Sequence, residues 1–242
     1  MPDHADAARS VVLRGLSVHN VRNWTEGLLE FGPHINIFWG PNAQGKTSLL
    51  EALHLLAVGR SFRTQHLSEI KRHGQELMRL SLEFSEGNVE QNIRFALNST
   101  EKRVTLNATP YPTLSSLIGL IPMVIITPDD ELIKSAPLER RRFLDLLLSQ
   151  ENPLYLHHLT RYSRALKQRN SLLRQRQMQT IEPWEAQLAH SGAYLIRARL
   201  EALKHLSREA EHFYGRISES DGAVAAHYES RLDLGDPEKS LL

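Results

Sequence analysis

Gly40-Pro41-Asn42-Ala43-Gln44-Gly45-Lys46-Thr47 matches G-x-x-x-x-G-K-[ST], the pattern of a phosphate-binding loop. Just before it, His34-Ile35-Asn36-Ile37-Phe38-Trp39 predicts a strand, with Ile35, Ile37 and Trp39 alternating. Just after it, Thr47 to Ala57 predicts a helix rich in good helix formers. Strand, loop and helix in that order are the setting the motif needs. Gly40 and Gly45 let the backbone wrap closely around phosphate oxygens, and the N–H groups opening the helix offer a positive dipole end. Lys46 can neutralise the terminal phosphates, and the Thr47 hydroxyl suits a Mg²⁺ carried in with ATP. The expected nucleotide-binding set from the motif is Gly40, Pro41, Asn42, Ala43, Gln44, Gly45, Lys46 and Thr47, with Ser48 beside them.

The surrounding chain has 242 residues, 41% hydrophobic and 24% charged, an ordinary globular composition. A formal net charge of +1 gives no global pull toward nucleic acid or anionic lipid, so any polyanion site must come from local clustering. Cysteine is absent, which excludes disulfides, thiolate metal sites and cysteine nucleophiles. Residues 1–10 lack the apolar block of a signal peptide. The longest apolar run, Leu117 to Ile126, is too short to span a bilayer and contains Pro122. The expected location is cytoplasmic, with no membrane partner.

Val11 to Val18 predicts a strand, followed by a polar turn from His19 to Trp24 and a short strand from Leu28 to Phe31. Met78, Leu80, Leu82 and Phe84 alternate with polar residues, as do Val89, Ile93, Phe95 and Leu97 beyond the turn Glu86-Gly87-Asn88. Lys102 to Leu106 adds a third strand to this antiparallel meander. Pro122 to Thr127 and Val224 to Tyr228 predict further strands. From Pro137 onward the pattern is helical. Tyr155, Leu159, Tyr162, Leu166, Arg169 and Leu173 form a heptad-like seam, a break is due around Thr180 to Pro183, and a second long helix runs from Trp184 to Tyr214. Two long helices joined this way predict an antiparallel hairpin. The expected divisions are a tail at 1–10, a P-loop lobe at 11–135, a helical lobe at 136–220 and the start of a return to the first lobe at 221–242.

Several segments together resemble the RecF family of bacterial recombination and repair ATPases, related to the heads of SMC-type and ABC-type ATPases. They are Asn20-Val21-Arg22-Asn23, Gly40 to Glu51, Gly59-Arg60-Ser61-Phe62-Arg63-Thr64, Ile126-Thr127-Pro128-Asp129, Pro137 to Asp145 with Arg140-Arg141-Arg142-Phe143-Leu144-Asp145, and Lys167-Gln168-Arg169-Asn170. The resemblance implies an α/β fold: a P-loop NTPase with an antiparallel flank and a helical-hairpin second lobe. It also implies that Arg22 and Asn23 approach the nucleotide's phosphates. Arg63 can reach phosphate or DNA, whereas Arg60 suits capping of the preceding helix. The implied cofactors are ATP and Mg²⁺. The implied role is ATP-dependent binding of single-stranded DNA, gaps or junctions in recombinational repair, replication restart and SOS induction, with other recombination mediators as partners and an ATP-driven homodimer as the switch. Members of the family continue into a Leu-Ser-x-Gly-Gln-type signature and an acid-ended strand, and neither occurs in this sequence. The expectation is therefore a truncated member that binds nucleotide without the family's turnover.

Two further sites come from the residues. Val124 to Glu131 ends in Asp129-Asp130-Glu131, so Asp129 is a candidate Mg²⁺ acid, although Thr127-Pro128 separates the acids from the apolar run. Between Glu151 and Glu182 there is no acid, while Arg161, Arg164, Lys167, Arg169, Arg174 and Arg176 fall inside the interval. At helical spacing Arg164, Lys167 and Arg174 share one side, a stripe suited to DNA phosphates or simply to water. The twelve histidines suggest no metal site, and Trp24, Trp39 and Trp184 suit packing. The competing readings are a P-loop kinase using Asp129 or Asp130, and a nonfunctional remnant with uncovered sheet edges.

Overall fold

A computed structural model describes residues 10–126, 132, 136–218 and 224–230. The chain forms two compact units that divide between Thr127 and Pro128.

The first unit is built on one antiparallel sheet. Its strands are β1 (Val11–Val21), β2 (Trp24–Glu30), β3 (Met78–Glu86), β4 (Val89–Leu97), β5 (Lys102–Leu106) and β6 (Thr109–Tyr111), in the order β2-β1-β3-β4-β5-β6. Alternation sets the register, because a slip of one residue would turn every apolar side chain to the other face. Thus Val18 faces Leu80, Leu80 faces Phe95 and Phe95 faces Val104, a buried row running across four strands. A second row joins Leu16, Leu82 and Ile93. The meander expected from Met78 to Leu106 is present with the expected alternation, and β1 and β2 extend it.

Helix α1 (Lys46–Val58) packs against β1 and β3 on one side and a 3₁₀ turn at Leu114–Leu117 on the other. Covered on both sides, it buries nearly every residue from Ser48 to Val58, Leu50 excepted. Gly59 ends it in the left-handed region at φ 78°, its N–H donating to the Leu55 carbonyl. A Cβ there would meet the Ser115 backbone nitrogen at 2.9 Å, so only glycine fits between helix and turn.

Three expected strands are not formed. Residues 33–39 run without a ladder partner, and Ile35, Ile37 and Trp39 are 85%, 79% and 88% exposed. Asn36 closes this segment locally, accepting from the Gly32 N–H and donating to the Gly32 carbonyl. Residues 122–126 and 224–228 are likewise irregular, with Val124 and Ile126 exposed. Alternation describes only the side chains of a strand. Its backbone needs a neighbour, and among the described residues none lies alongside these segments.

The second unit is helical: α2 (Pro137–Glu151), α3 (Pro153–Arg174) and α4 (Glu182–Ile217). The helical pattern from Pro137 is interrupted at Asn152. Its side-chain oxygen accepts from the N–H groups of Leu154 and Tyr155, and Pro153 takes the first position of α3, where no N–H is needed. α3 and α4 pack as the expected hairpin. Its seam differs from the heptad reading. Leu166 and Leu173 are exposed at 38% and 36%, whereas His158 and Ala165 are buried. The buried line of α3 therefore keeps Tyr155 and Tyr162 of the heptad reading but runs through His158 and Ala165 in place of Leu166 and Leu173. Beneath it Leu144, Leu148, Tyr155 and Leu195 form the core.

Polar anchoring is concentrated at one point of this unit. Asp145 accepts two hydrogen bonds from Arg199, at 2.9 and 2.7 Å, and one from the Tyr155 hydroxyl, while Arg199 also reaches the Tyr228 oxygen at 3.3 Å. Burial pushes the Tyr155 hydroxyl well above its ordinary range.

Candidate phosphate-binding site

The loop from Gly40 to Gly45 turns through three left-handed positions, Gly40 (φ 144°), Ala43 (φ 65°) and Gly45 (φ 93°), the last forming the N-cap of α1. The β1–β2 turn grips it from one side. Asn23 donates to the Ala43 carbonyl at 2.9 Å and accepts from the Ser48 hydroxyl at 3.2 Å. The Trp24 indole donates to the Gly45 carbonyl at 3.1 Å. A Cβ on Gly45 would lie 2.3 Å from that indole nitrogen and 2.7 Å from the Asn23 side-chain oxygen.

Lys46 leans back over the loop, its ammonium donating to the Gly40 and Pro41 carbonyls at 2.7 Å each. Those carbonyls hold the charge at the loop mouth, where an incoming phosphate can exchange with them. Thr47 is exposed in the first turn of α1. Loop, helix end and turn open onto a cleft of about 1140 Å³ whose lining includes Asn23, Lys46, Thr47 and Arg63. The cleft therefore gathers the expected set from Asn42 to Ser48 with Arg22, Asn23 and Arg63, while Gly40 and Pro41 meet the Lys46 ammonium.

Arg22 lines the cleft with its guanidinium engaged by protein groups. It sits at φ 52°, its N–H donating to the Ile70 carbonyl. Its guanidinium forms a fork on the Glu51 carboxylate, 2.8 Å to each oxygen, and donates to the Glu69 carbonyl at 2.7 Å. Glu51 is completely buried. Burial alone would push its carboxyl up, but hydrogen bonds from Arg22 and Ser61 and the charges of Arg22 and Arg63 overcome this and hold it below its ordinary value.

A carboxyl lowered by folding stabilises the native state above the unfolded-state value, and that contribution fades as pH falls through the folded-state value. The first unit is therefore expected to lose urea resistance as pH falls below the ordinary carboxylate value of about 4.3. The loss should be shallower in Glu51→Gln, as read from urea midpoints followed by Trp24 and Trp39 fluorescence.

Part of the site was not anticipated. Trp24 clamps the loop rather than serving only as packing. The segment after the 3₁₀ turn at Leu67–Glu69 brings Lys71, Arg72 and His73 to the cleft, with Arg72 donating to the Asn23 carbonyl at 3.1 Å and to the Thr25 hydroxyl. Nothing local in the sequence marks these residues, because the bridge between Val21 and Lys71 that brings them here is long-range. Glu51 did carry a signal: it is the one acid in the leucine-rich run Leu49 to Leu56. Asp129 and Asp130 lie outside the described residues.

On α3, Arg164, Lys167 and Arg174 are all exposed, with Arg174 donating to the Asn170 carbonyl of its own helix. Arg161 and Arg169 instead turn to α4, onto Gln187 and Glu185. The structure thus separates two arginines that join the hairpin from three cations that face water. His158 stacks on Tyr194 with ring centroids 4.2 Å apart, and burial followed by the charges of His190, His157 and Arg161 lowers its pKa.

The AAA domain family model matches residues 15–218. The chain is 45% identical over 221 residues to the DNA replication and repair protein RecF of Protochlamydia amoebophila, covering 91% of this chain and 62% of the relative. It is 37% identical over 229 residues to the protein of the same name from Symbiobacterium thermophilum, covering 93% of this chain and 60% of that one. Among solved structures, the recombination mediator protein RecF-ATP in the RecFOR pathway superimposes with a TM-score of 0.84 at 30% identity, over 99% of this chain and 68% of that one. The chain thus spans less than two thirds of the length of these two curated relatives. The mixed α/β P-loop fold with its antiparallel sheet agrees with the reading from the motif.

Proposed function

The chain belongs to the RecF family, and from that premise we propose that its first unit binds Mg-ATP and its second unit contacts DNA during repair. The observation that carries the nucleotide half is the cradle itself. The left-handed loop positions Ala43 and Gly45, the open N-terminus of α1 and the Lys46 ammonium converge on one cleft. Backbone N–H groups at a helix start bind phosphate oxygens, and a lysine there neutralises them. The Thr47 hydroxyl would hold Mg²⁺. Lys71 and His73 extend the cleft beyond the loop and would face the nucleoside end.

The DNA half rests on Arg164, Lys167 and Arg174. Exposed cations on one helix bind phosphates without reading sequence, and they release counterions as they do so. The ligand would be single-stranded DNA, a gap or a junction, in recombinational repair, replication restart and SOS induction. Recombination mediators and a second copy of the chain would be the partners, in the cytoplasm. No described helix is long and apolar enough to cross a membrane.

Two titrations test the two halves. Calorimetric titration of Mg-ATP should give a saturable heat that Lys46→Ala abolishes, while the far-ultraviolet spectrum stays unchanged. Titration of fluorescent single-stranded DNA over a salt series should show a slope that falls by about 2 when the three cations become alanine, at about 0.7 per phosphate contact. No heat from well-folded protein would end the nucleotide reading. An unchanged salt slope would remove this face of α3 from DNA binding.

A further inference from the structure

A buried carboxylate next to a phosphate site is an expensive arrangement. It repels the ligand, and its desolvation costs several kcal/mol unless its charge is fully met. Glu51 nevertheless lies between one and two turns along α1 from Lys46 and is completely buried. Arg22 covers both of its oxygens. The Ser61 hydroxyl donates to Oε1 at 2.5 Å and itself accepts from the N–H groups of Arg63 and Thr64, at 2.9 and 3.2 Å. The carboxylate thereby fixes the turn that launches Arg63.

The cations around the cleft are not equivalent. Arg22 has its guanidinium on Glu51 and the Glu69 carbonyl. Arg72 is engaged by the Asn23 carbonyl and the Thr25 hydroxyl. Among the described residues the Arg63 guanidinium is held only by a long ion pair, 3.7 Å from Glu51, and its side chain is 47% exposed. Its backbone is fixed by Ser61 while its charged end is loosely tethered at the cleft wall. A loosely tethered guanidinium can move onto phosphate without breaking a tight pair.

We propose that Glu51 is a positioning residue: saturated by Arg22 and coupled through Ser61, it presents Arg63 to the cleft as the cation that answers the extra charge of a triphosphate over a diphosphate. The inference rests on the nucleotide reading above and deepens it. Glu51 touches no ligand and acts only through the turn at Ser61 and through the charge it offers Arg63. Lys46 supplies affinity for any phosphate, whereas Arg63 supplies the difference between ATP and ADP.

The test compares dissociation constants for Mg-ATP and Mg-ADP by calorimetry in wild type, Arg63→Ala, Glu51→Gln and the double variant. Arg63→Ala should weaken ATP about tenfold and leave ADP within about twofold, and Glu51→Gln should do the same. The double variant should be no worse than either single one, a coupling of about 1.4 kcal/mol. Equal weakening of both nucleotides by Glu51→Gln, with Arg63→Ala silent, would overturn the proposal and leave Glu51 as a packing acid. Should Glu51→Gln unfold, Ser61→Ala decides, because it cuts the link while sparing the charge pair. A selective loss of ATP affinity supports the proposal, and unchanged selectivity overturns it. Failure of the wild type to bind either nucleotide, or of Lys46→Ala to lose binding, removes the underlying reading and is distinguishable from both outcomes.

Discussion

Gly45→Ala is expected to reduce Mg-ATP affinity by at least about 100-fold, roughly 2.7 kcal/mol. Two effects act together. The backbone sits at φ 93°, where a residue with a Cβ is strained by about 1–2 kcal/mol. The new Cβ would also lie 2.3 Å from the Trp24 indole nitrogen and 2.7 Å from the Asn23 oxygen, well inside contact distance. Neither neighbour yields cheaply, since Trp24 donates to the Gly45 carbonyl and Asn23 is bonded to both Ala43 and Ser48. The β1–β2 turn must therefore move away from the loop, and the N–H groups of the cradle lose their common focus. Calorimetry against Lys46→Ala checks the result. The glycine variant should bind no better than the lysine variant although its ammonium is intact. An affinity close to wild type would show that the clamp is not needed.

Asp145→Ala is expected to destabilise the helical unit by about 3 kcal/mol, the range found when one partner of a buried pair is removed. The side chains of Asp145 and Arg199 are 18% and 13% exposed, so the arginine left behind cannot easily be rehydrated. Burial alone would lower the Arg199 pKa, but the Tyr155 and Asp145 oxygens overcome this and raise it, so the guanidinium stays charged. The same change leaves the Tyr155 hydroxyl without its acceptor in the core beside Leu144, Leu148 and Leu195. Chemical denaturation followed by Trp184 fluorescence measures the loss. Replacing Asp145 and Arg199 together by alanine should cost less than the sum of the two single changes. Strict additivity would show that the pair contributes nothing beyond its separate packing.

The two predictions show where sequence and structure part. Gly45 could be picked out from the motif, since the glycine before Lys-Thr promises a left-handed loop position. The reason it tolerates no Cβ could not, because Trp24 and Asn23 arrive from a hairpin some twenty residues earlier. Arg199 sits unmarked in a long helix, fifty-four residues from the acid it meets. Glu51 could be noticed as an acid among leucines, yet its partners come from Arg22 on one side and Ser61 on the other.

By itself the sequence determined the phosphate-binding loop, the helix behind it, the alternating meander and the α3–α4 hairpin, because each depends on local chemistry: glycine conformations, period-two and near-3.6 patterns, and the break around Thr180 to Pro183. It also named the three cations of α3. Only the tertiary structure decided which of those elements find partners. Ile35, Ile37 and Trp39 alternate as well as any residues of β3, yet remain exposed, since a strand exists only against a neighbour. It also decided that Arg22 holds the frame on Glu51, whereas Arg63 stays loosely tethered at the cleft. Charge type is written in the chain, but what a charge faces depends on which distant segments folding brings beside it.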